Sequence, residues 1–295
     1  MCEPVSSASL AAVASGRPVQ LTHALQLTDD IAVFRFELVP SPNVQGLSIR
    51  PGQAIVLDFM DWIGPPGYGH MADAAPGSIN DDRVRTWTVS SAHHGQKTTW
   101  FEITMREMKG GAVTGALFSA LRGQPHLTRA DQLRLTHPIP SNVVGVTGDF
   151  CLTQSIIKTL WIAGGIGITP FISMLSALGQ RKDHTCGNVI IALATRDPEV
   201  FLRLMNGAAE NLPSTIILRI DVFTAVKVID TNVCDAKAHI QINFHEGRIP
   251  MSYWTGVATE REVFICGPGS FGDAAVIGLT DANVPLSKIH REGFY

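Results

Sequence analysis

The spacing of apolar and polar residues changes character part-way along the chain. In the first half, VQLTHALQL, IAVFRFEL, AIVLDF, VRTWTVSS and TWFEITMRE alternate apolar and polar residues, with Pro, Gly, Asp and Asn between them. A period of two puts one face of each segment against a core and the other in solvent. Several such short strands in succession predict an antiparallel barrel or sandwich. Near residue 150 the pattern becomes TLWIAGG then FISMLSAL, NVIIALAT then PEVFLRLMNGAAE, STIILRIDVF, and EVFICG then SFGDAAVIGLT. Continuous apolar runs followed by helix-period stretches predict βαβ units around a parallel sheet. Ligands of such sheets lie beyond the carboxyl ends of the strands, which directs attention to the turns after IAGG, ALAT and FICG.

The expected organisation is an extension over 1–19, a barrel domain over 20–150 and an α/β domain over 151–295, connected through the Pro- and Gly-containing stretch from His137 to Asp149. Thr159 to Gln180 carries no charge and is long enough to span a bilayer. Gly164, Gly165, Gly167 and Pro170 place a turn in its middle, so it is expected to be a buried strand followed by a helix, with no transmembrane segment.

Composition narrows the function classes. With 23 Lys and Arg against 26 Asp and Glu, the net charge is −3 and no basic cluster marks a nucleic-acid or anionic-membrane surface. The cysteines Cys2, Cys151, Cys186, Cys234 and Cys266 are scattered, with no zinc or iron–sulfur spacing, as a reducing compartment tolerates. A cytoplasmic location is expected. His93 and His94 are neighbours, but no HExxH places two ligands on one helix face, and no GxSxG elbow is present.

Candidate chemistry lies in three places. LWIAGGIGITPF runs a strand through glycines into a helix beginning at Thr169 and Pro170, so backbone N–H groups and a helix N-terminus can meet a phosphate there. In RTWTVSS, Arg85, Trp87 and Val89 share one strand face and Thr88 and Ser90 the other, with Ser91 following. An arginine beside an exposed aromatic clamps a phosphate and stacks on a flat heterocycle, although a plain sheet surface reads the same way. KGGAVTGALFSAL, with Gly110, Gly111, Ala112, Val113 and Thr114, repeats the glycine-then-helix pattern. Two phosphate cradles in two unlike domains imply two nucleotides facing each other across a cleft.

The order PGQ, RTWTVSS, GGAVT, GDFCL, GGIGITPF, CGPGSF and a terminal HREGFY resembles the ferredoxin-NADP reductase superfamily, from about residue 20 to the end. The resemblance implies an antiparallel flavin-binding barrel followed by a Rossmann-like nicotinamide-binding α/β domain. It implies FAD and NAD(P)H as cofactors, with electrons passing to an external acceptor. Arg85 would contact the flavin pyrophosphate, Trp87 would pack on the flavin and Thr88 would bond near its N5, with Val89 and Ser90 alongside. Gly110, Gly111, Ala112, Val113 and Thr114 would cradle the diphosphate. Gly165, Thr169 and Pro170 would hold the nicotinamide nucleotide, and Cys266, Gly267 and Pro268 would approach its reactive end. Glu292 and Phe294, with Tyr295, match a closing acid-x-aromatic pattern. Thr88, Cys266 and Glu292 are the candidate catalytic residues.

Arg196 suits a 2′-phosphate and Asp197 beside it a ribose hydroxyl, so NADH and NADPH stay open. Two stretches depart from a plain reductase: the Pro- and Gly-rich run between Met60 and Asp82, and the excursion from Thr224 to Tyr253. They motivate an alternative in which the flavin cleft transforms a small organic substrate.

Overall fold

The computed structural model describes residues 16–42, 45–64, 83–93, 97–123, 133–150, 152, 156–181, 185–226 and 237–294. Those within 1–49, 53–89 and 96–147 form one compact unit, and those within 50–52, 90–95 and 148–295 another. Residues 65–82, the larger part of the first departure, 227–236, a third of the second, and Tyr295 lie outside the described residues.

The first unit is an antiparallel six-stranded, barrel-like sheet: β1 (Arg17–Gln26), β2 (Ile31–Leu38), β3 (Ala54–Asp58), β4 (Val84–Thr88), β5 (Trp100–Arg106) and β6 (Leu133–Thr147), in the order β4-β3-β6-β1-β2-β5. Helix α1 (Met60–Ile63) follows β3, and α2 (Ala112–Arg122) follows β5. Alternation does the sorting. Ala32, Phe34, Phe36 and Leu38 of β2 enter the core while Arg35 and Glu37 stay half-exposed. Helix α2 adds Val113, Leu117, Phe118 and Leu121, the apolar stripe of a 3.6-residue period. Phe118 meets Phe34 edge-on at 5.4 Å. Burying such a ring is worth about 2 kcal/mol.

The stretch from His137 to Asp149, expected as the connection, is strand as far as Thr147. β6 is an interior strand, pairing with β1 on one side and β3 on the other. Prolines had argued against that, because a ladder position needs an N–H. Register skips from Leu21↔Ile139 to His23↔Arg134, so Pro138 falls in a break in the ladder where no such bond is required.

The second unit is a parallel sheet of β7 (Ile156–Gly164), β8 (Cys186–Ala194), β9 (Ile216–Thr224), β10 (Ile240–Glu246), β11 (Glu262–Pro268) and β12 (Ile289–Phe294), in the order β10-β9-β8-β7-β11-β12. Its helices are α3 (Thr169–Gln180), α4 (Pro198–Ala208), α5 (Met251–Val257) and α6 (Gly269–Asp281). The charge-free run divides as expected into β7, a 3₁₀ turn over Gly165–Ile168, and α3. Among the described residues, no helix is long and apolar enough to cross a membrane. The excursion after Thr224 carries β10, the edge strand, and α5. β10 escaped the sequence pattern because IQINFHE is too polar to resemble a buried parallel strand.

The chain leaves β7 towards β8, β9 and β10 and then returns to β11 on the other side. The strand order therefore reverses between β7 and β11, where Ala163 lies opposite Cys266. Their two turns touch backbone to backbone. A Cβ on Gly167 would lie 2.2 Å from the Cys266 carbonyl oxygen, and one on Gly267 3.1 Å from the Gly164 Cα.

Gly167→Ala is therefore expected to cost more than about 3 kcal/mol of unfolding free energy in urea titrations. Gly207→Ala in α4, where nothing lies within 4 Å, should instead stabilise by up to about 1 kcal/mol. Equal effects of the two would contradict this packing.

Candidate functional site

In the first unit, β4 places Arg85 opposite Leu57, Trp87 opposite Ile55 and Thr88 opposite Ala54. Ile55 and Leu57 are core residues, so this face of β4 turns inward. Trp87 is half-buried rather than an exposed platform, its ring edge-on to Phe59 at 5.9 Å and packed against the core. Arg85 donates to the Val84 carbonyl at 2.6 Å. Thr88 and Val89 are buried, and so is Ser90 in the second unit, where Ser91 Oγ lies 2.8 Å from His93 Nε2.

The turn into α2 is locally built. Gly110 holds φ +74° with open space where a Cβ would sit, and Gly111 is the N-cap, with no side chain to satisfy the first turn. The Met108 N–H donates to Thr114 Oγ1 at 3.2 Å, so that hydroxyl braces the loop. Val113 belongs to the core. The groups this turn offers an anion are backbone N–H groups and the helix dipole. Arg122 clamps the entry to the turn by bonding both Glu107 oxygens at 2.8 Å.

In the second unit, the reversal of strand order brings Gly164 to Thr169 beside Cys266, Gly267 and Pro268. Gly165 differs from its neighbours: it has φ +54° and open space, whereas Gly164 and Gly167 are glycine because the Phe271 ring and the Cys266 backbone press on them. A left-handed glycine with free space before a helix N-terminus is a cradle a nucleotide can enter. Thr169 and Pro170 are buried in the first turn of α3, where Ser173 Oγ donates to the Pro170 carbonyl and accepts from the Gly52 N–H, both at 2.9 Å.

Cys266 is fully buried in β11, between Ala163 of β7 and Glu292 of β12. Burial, and then the nearby Glu292 carboxylate, push its thiol well above the usual cysteine range. It is a neutral thiol at physiological pH, suited to contact and not to nucleophilic attack. Burial likewise raises the Glu292 carboxyl, against backbone N–H groups of Asp149 and Phe150 that lower it; the Asp149 N–H donates to Oε1 at 3.2 Å. Arg196 is exposed just past β8, where the Asp197 N–H donates to Thr195 Oγ1. Phe294 ends β12 opposite Pro268, its side chain outside the described residues.

One cluster was not anticipated. Asp221, in the middle of β9, is fully buried, and donors reach it from Arg219, Asn243, His245 and Tyr253. Two opposite charges, Arg219 and Asp221, inside the apolar run STIILRIDVF were its only trace in the sequence. Burial pushes its carboxyl up, but the bonds from Arg219, Tyr253 and Asn243 outweigh that and leave it below the usual aspartate value.

A family model described as the oxidoreductase NAD-binding domain matches residues 161–276. Among curated proteins, the chain is 26% identical to a flavohemoprotein of Halalkalibacterium halodurans over 90% of this chain and 57% of that protein. It is 25% identical to the reductase subunit of stachydrine N-demethylase from Rhizobium meliloti over 90% of this chain and 63% of that one. The chain thus spans about 57–63% of the length of these relatives. Of solved structures, the FAD/NAD binding domain of a Vibrio cholerae nitric oxide dioxygenase aligns with TM-score 0.61 at 16% identity, over 95% of this chain and 98% of that one. A Neisseria gonorrhoeae ferredoxin NADP+ reductase aligns with TM-score 0.58 at 15% identity, over 94% and 98%. At such identities these structures speak for the fold, and the fold agrees along nearly the whole chain. The chain is similar in sequence and fold to proteins of the ferredoxin-NADP reductase superfamily. The resemblance read from its ordered motifs is borne out, as is the barrel followed by a Rossmann-like sheet.

Because the Asp221 carboxyl is held below its unfolded value of about 3.9, its contribution to stability is present above that pH and lost as pH falls through the folded value. Urea unfolding of the wild type should weaken steadily from about pH 5 downward. Asp221→Asn should cost about 1–3 kcal/mol at pH 7 and flatten this acid limb. An unchanged limb would contradict the arrangement.

Proposed function

We propose that the chain is an NAD(P)H-dependent flavoprotein oxidoreductase that hands electrons to a separate acceptor. The observation that carries this reading is the open, left-handed Gly165 at the point where strand order reverses, beside a buried neutral thiol and the Glu292 carboxylate. Gly110, equally open before α2, fits a second nucleotide on the barrel. Bound there, a nicotinamide nucleotide and a flavin would supply the redox chemistry, hydride transfer and onward electron transfer.

The residues of the chain bind, orient and exclude water. On the barrel, Arg85 meets the flavin pyrophosphate, and Trp87, Thr88, Val89 and Ser90 line the ring. The N–H groups from Gly110 to Thr114 hold the diphosphate of FAD. On the parallel sheet, Gly165, Thr169 and Pro170 receive the nicotinamide nucleotide, with Arg196 at its far end. Cys266, Gly267 and Pro268 approach its reactive end without adding a charge, and Glu292 with Phe294 and Tyr295 closes the site. Catalysis here is positioning, for which a rigid turn is better suited than a mobile acid or base. An external acceptor is supported by relatives named as a demethylase reductase subunit and as the ferredoxin reductase component of a 3-ketosteroid monooxygenase. The absence of any cysteine pair at iron–sulfur spacing in the sequence agrees with it. A cytoplasmic location is part of the same reading.

Anaerobic addition of NADH or NADPH to the purified protein should bleach its flavin band. A bound flavin that neither nucleotide bleaches would refute the proposal. Arg85→Ala should weaken flavin binding by about tenfold or more, the scale of a lost charge-assisted bond, as measured by flavin retention on gel filtration.

A further inference from the structure

The Asp221 cluster is more than a strut. Arg219 Nε donates to Oδ1 at 3.0 Å and its terminal nitrogen lies 2.8 Å from Oδ2. Asn243 Nδ2 donates to Oδ1 at 2.7 Å, the Tyr253 hydroxyl donates to Oδ2 at 2.5 Å, and His245 Nε2 lies 3.4 Å from Oδ1. One carboxylate therefore ties together β9 (Arg219), β10 (Asn243, His245) and α5 (Tyr253). Stacking adds to this: Phe223 lies parallel to His245 at 4.6 Å and edge-on to Tyr253 at 5.0 Å.

What these three elements share is the loop 247–250 between β10 and α5. The bonds to Asn243 and His245 hold its entry and the bond to Tyr253 holds its exit, while the Gly247 N–H donates to the Thr224 carbonyl at 2.9 Å. This loop stands at the carboxyl edge of the parallel sheet, where ligands of such sheets lie. Gly247 has φ +83° and open space around it, and the next residue, Arg248, is exposed, with no ion-pair partner among the described residues. A guanidinium on a braced loop at that edge can meet a phosphate with the cost of ordering the loop backbone already met.

We infer that Asp221 and Tyr253 are positioning residues for the nicotinamide nucleotide, holding the β10–α5 loop so that Arg248 meets one of its phosphates. This rests on the function proposed above and adds to it a binding residue and the brace behind it. The purified flavoprotein, its Tyr253→Phe and Arg248→Ala variants and the double variant are titrated calorimetrically with NAD+ and with NADP+, with thermal unfolding recorded alongside.

Arg248→Ala should weaken whichever nucleotide the wild type binds by about five- to tenfold, and Tyr253→Phe by about three- to fivefold, while the double variant stays within about twofold of Arg248→Ala alone. That non-additivity is a signature a purely structural tyrosine lacks. The inference fails if Arg248→Ala leaves affinity unchanged, if Tyr253→Phe lowers the Tm without moving the Kd, or if the two effects add. A wild type that binds neither nucleotide would overturn the proposed function and this inference together, an outcome distinct from the other three.

Discussion

The second unit is organised around the backbone contact between two turns. Where strand order reverses, the turn after β7 and the turn after β11 lie closer than any side chain allows. Gly167 rests on the Cys266 carbonyl, and Gly164 and Gly267 meet across the Phe271 ring. Parallel strands are about 4.8 Å apart, so neighbouring turns can approach this closely only when both are stripped of Cβ atoms. The consequence is a shared rim in which the N-terminus of α3, the buried Cys266 thiol and the Glu292 carboxylate are brought together by strand pairing, with no separate device needed to place them.

The same contact explains why glycines in one motif do different jobs. Two of the three in GGIGITPF are required by packing, and Gly165 alone combines a left-handed backbone with free space. In the barrel the pair Gly110 and Gly111 divides similarly: Gly110 is open, while a Cβ on Gly111 would collide with Thr114 and Met108. In both places the residue available to a ligand stands beside residues that hold the turn still.

Buried polar groups in the second unit are used to fix segments that lack regular structure. Ser173 holds Gly52 through a backbone N–H that would otherwise be costly to bury, and Glu292 holds the exposed Asp149 through its N–H. Asp221 does this on a larger scale. A charge in the middle of a parallel strand is expensive unless its oxygens are satisfied, and here donors from two strands and a helix satisfy them.

Strand and helix rhythm was legible wherever one face is uniformly apolar: the five barrel strands, β7, β8, β9 and β11, and the helices α3, α4 and α6. The glycine turns were legible from residue order, and Arg85, Trp87 and Thr88 as residues of one strand. β6, β10, β12 and α5 were not. β6 carries Pro138 in a break of register and Pro140 opposite Gln20, and β10 is an edge strand whose Gln241, Asn243 and His245 are polar. Nor did the sequence separate the glycines that pack from those that stay open, turn Trp87 inward or assemble donors around Asp221. Periodicity and residue type act over a few neighbouring positions, so the sequence by itself determined which segments become strands, turns and helices. Register, the reversal of strand order and the meeting of residues far apart along the chain depend on how those segments pair, and only the tertiary structure decided them.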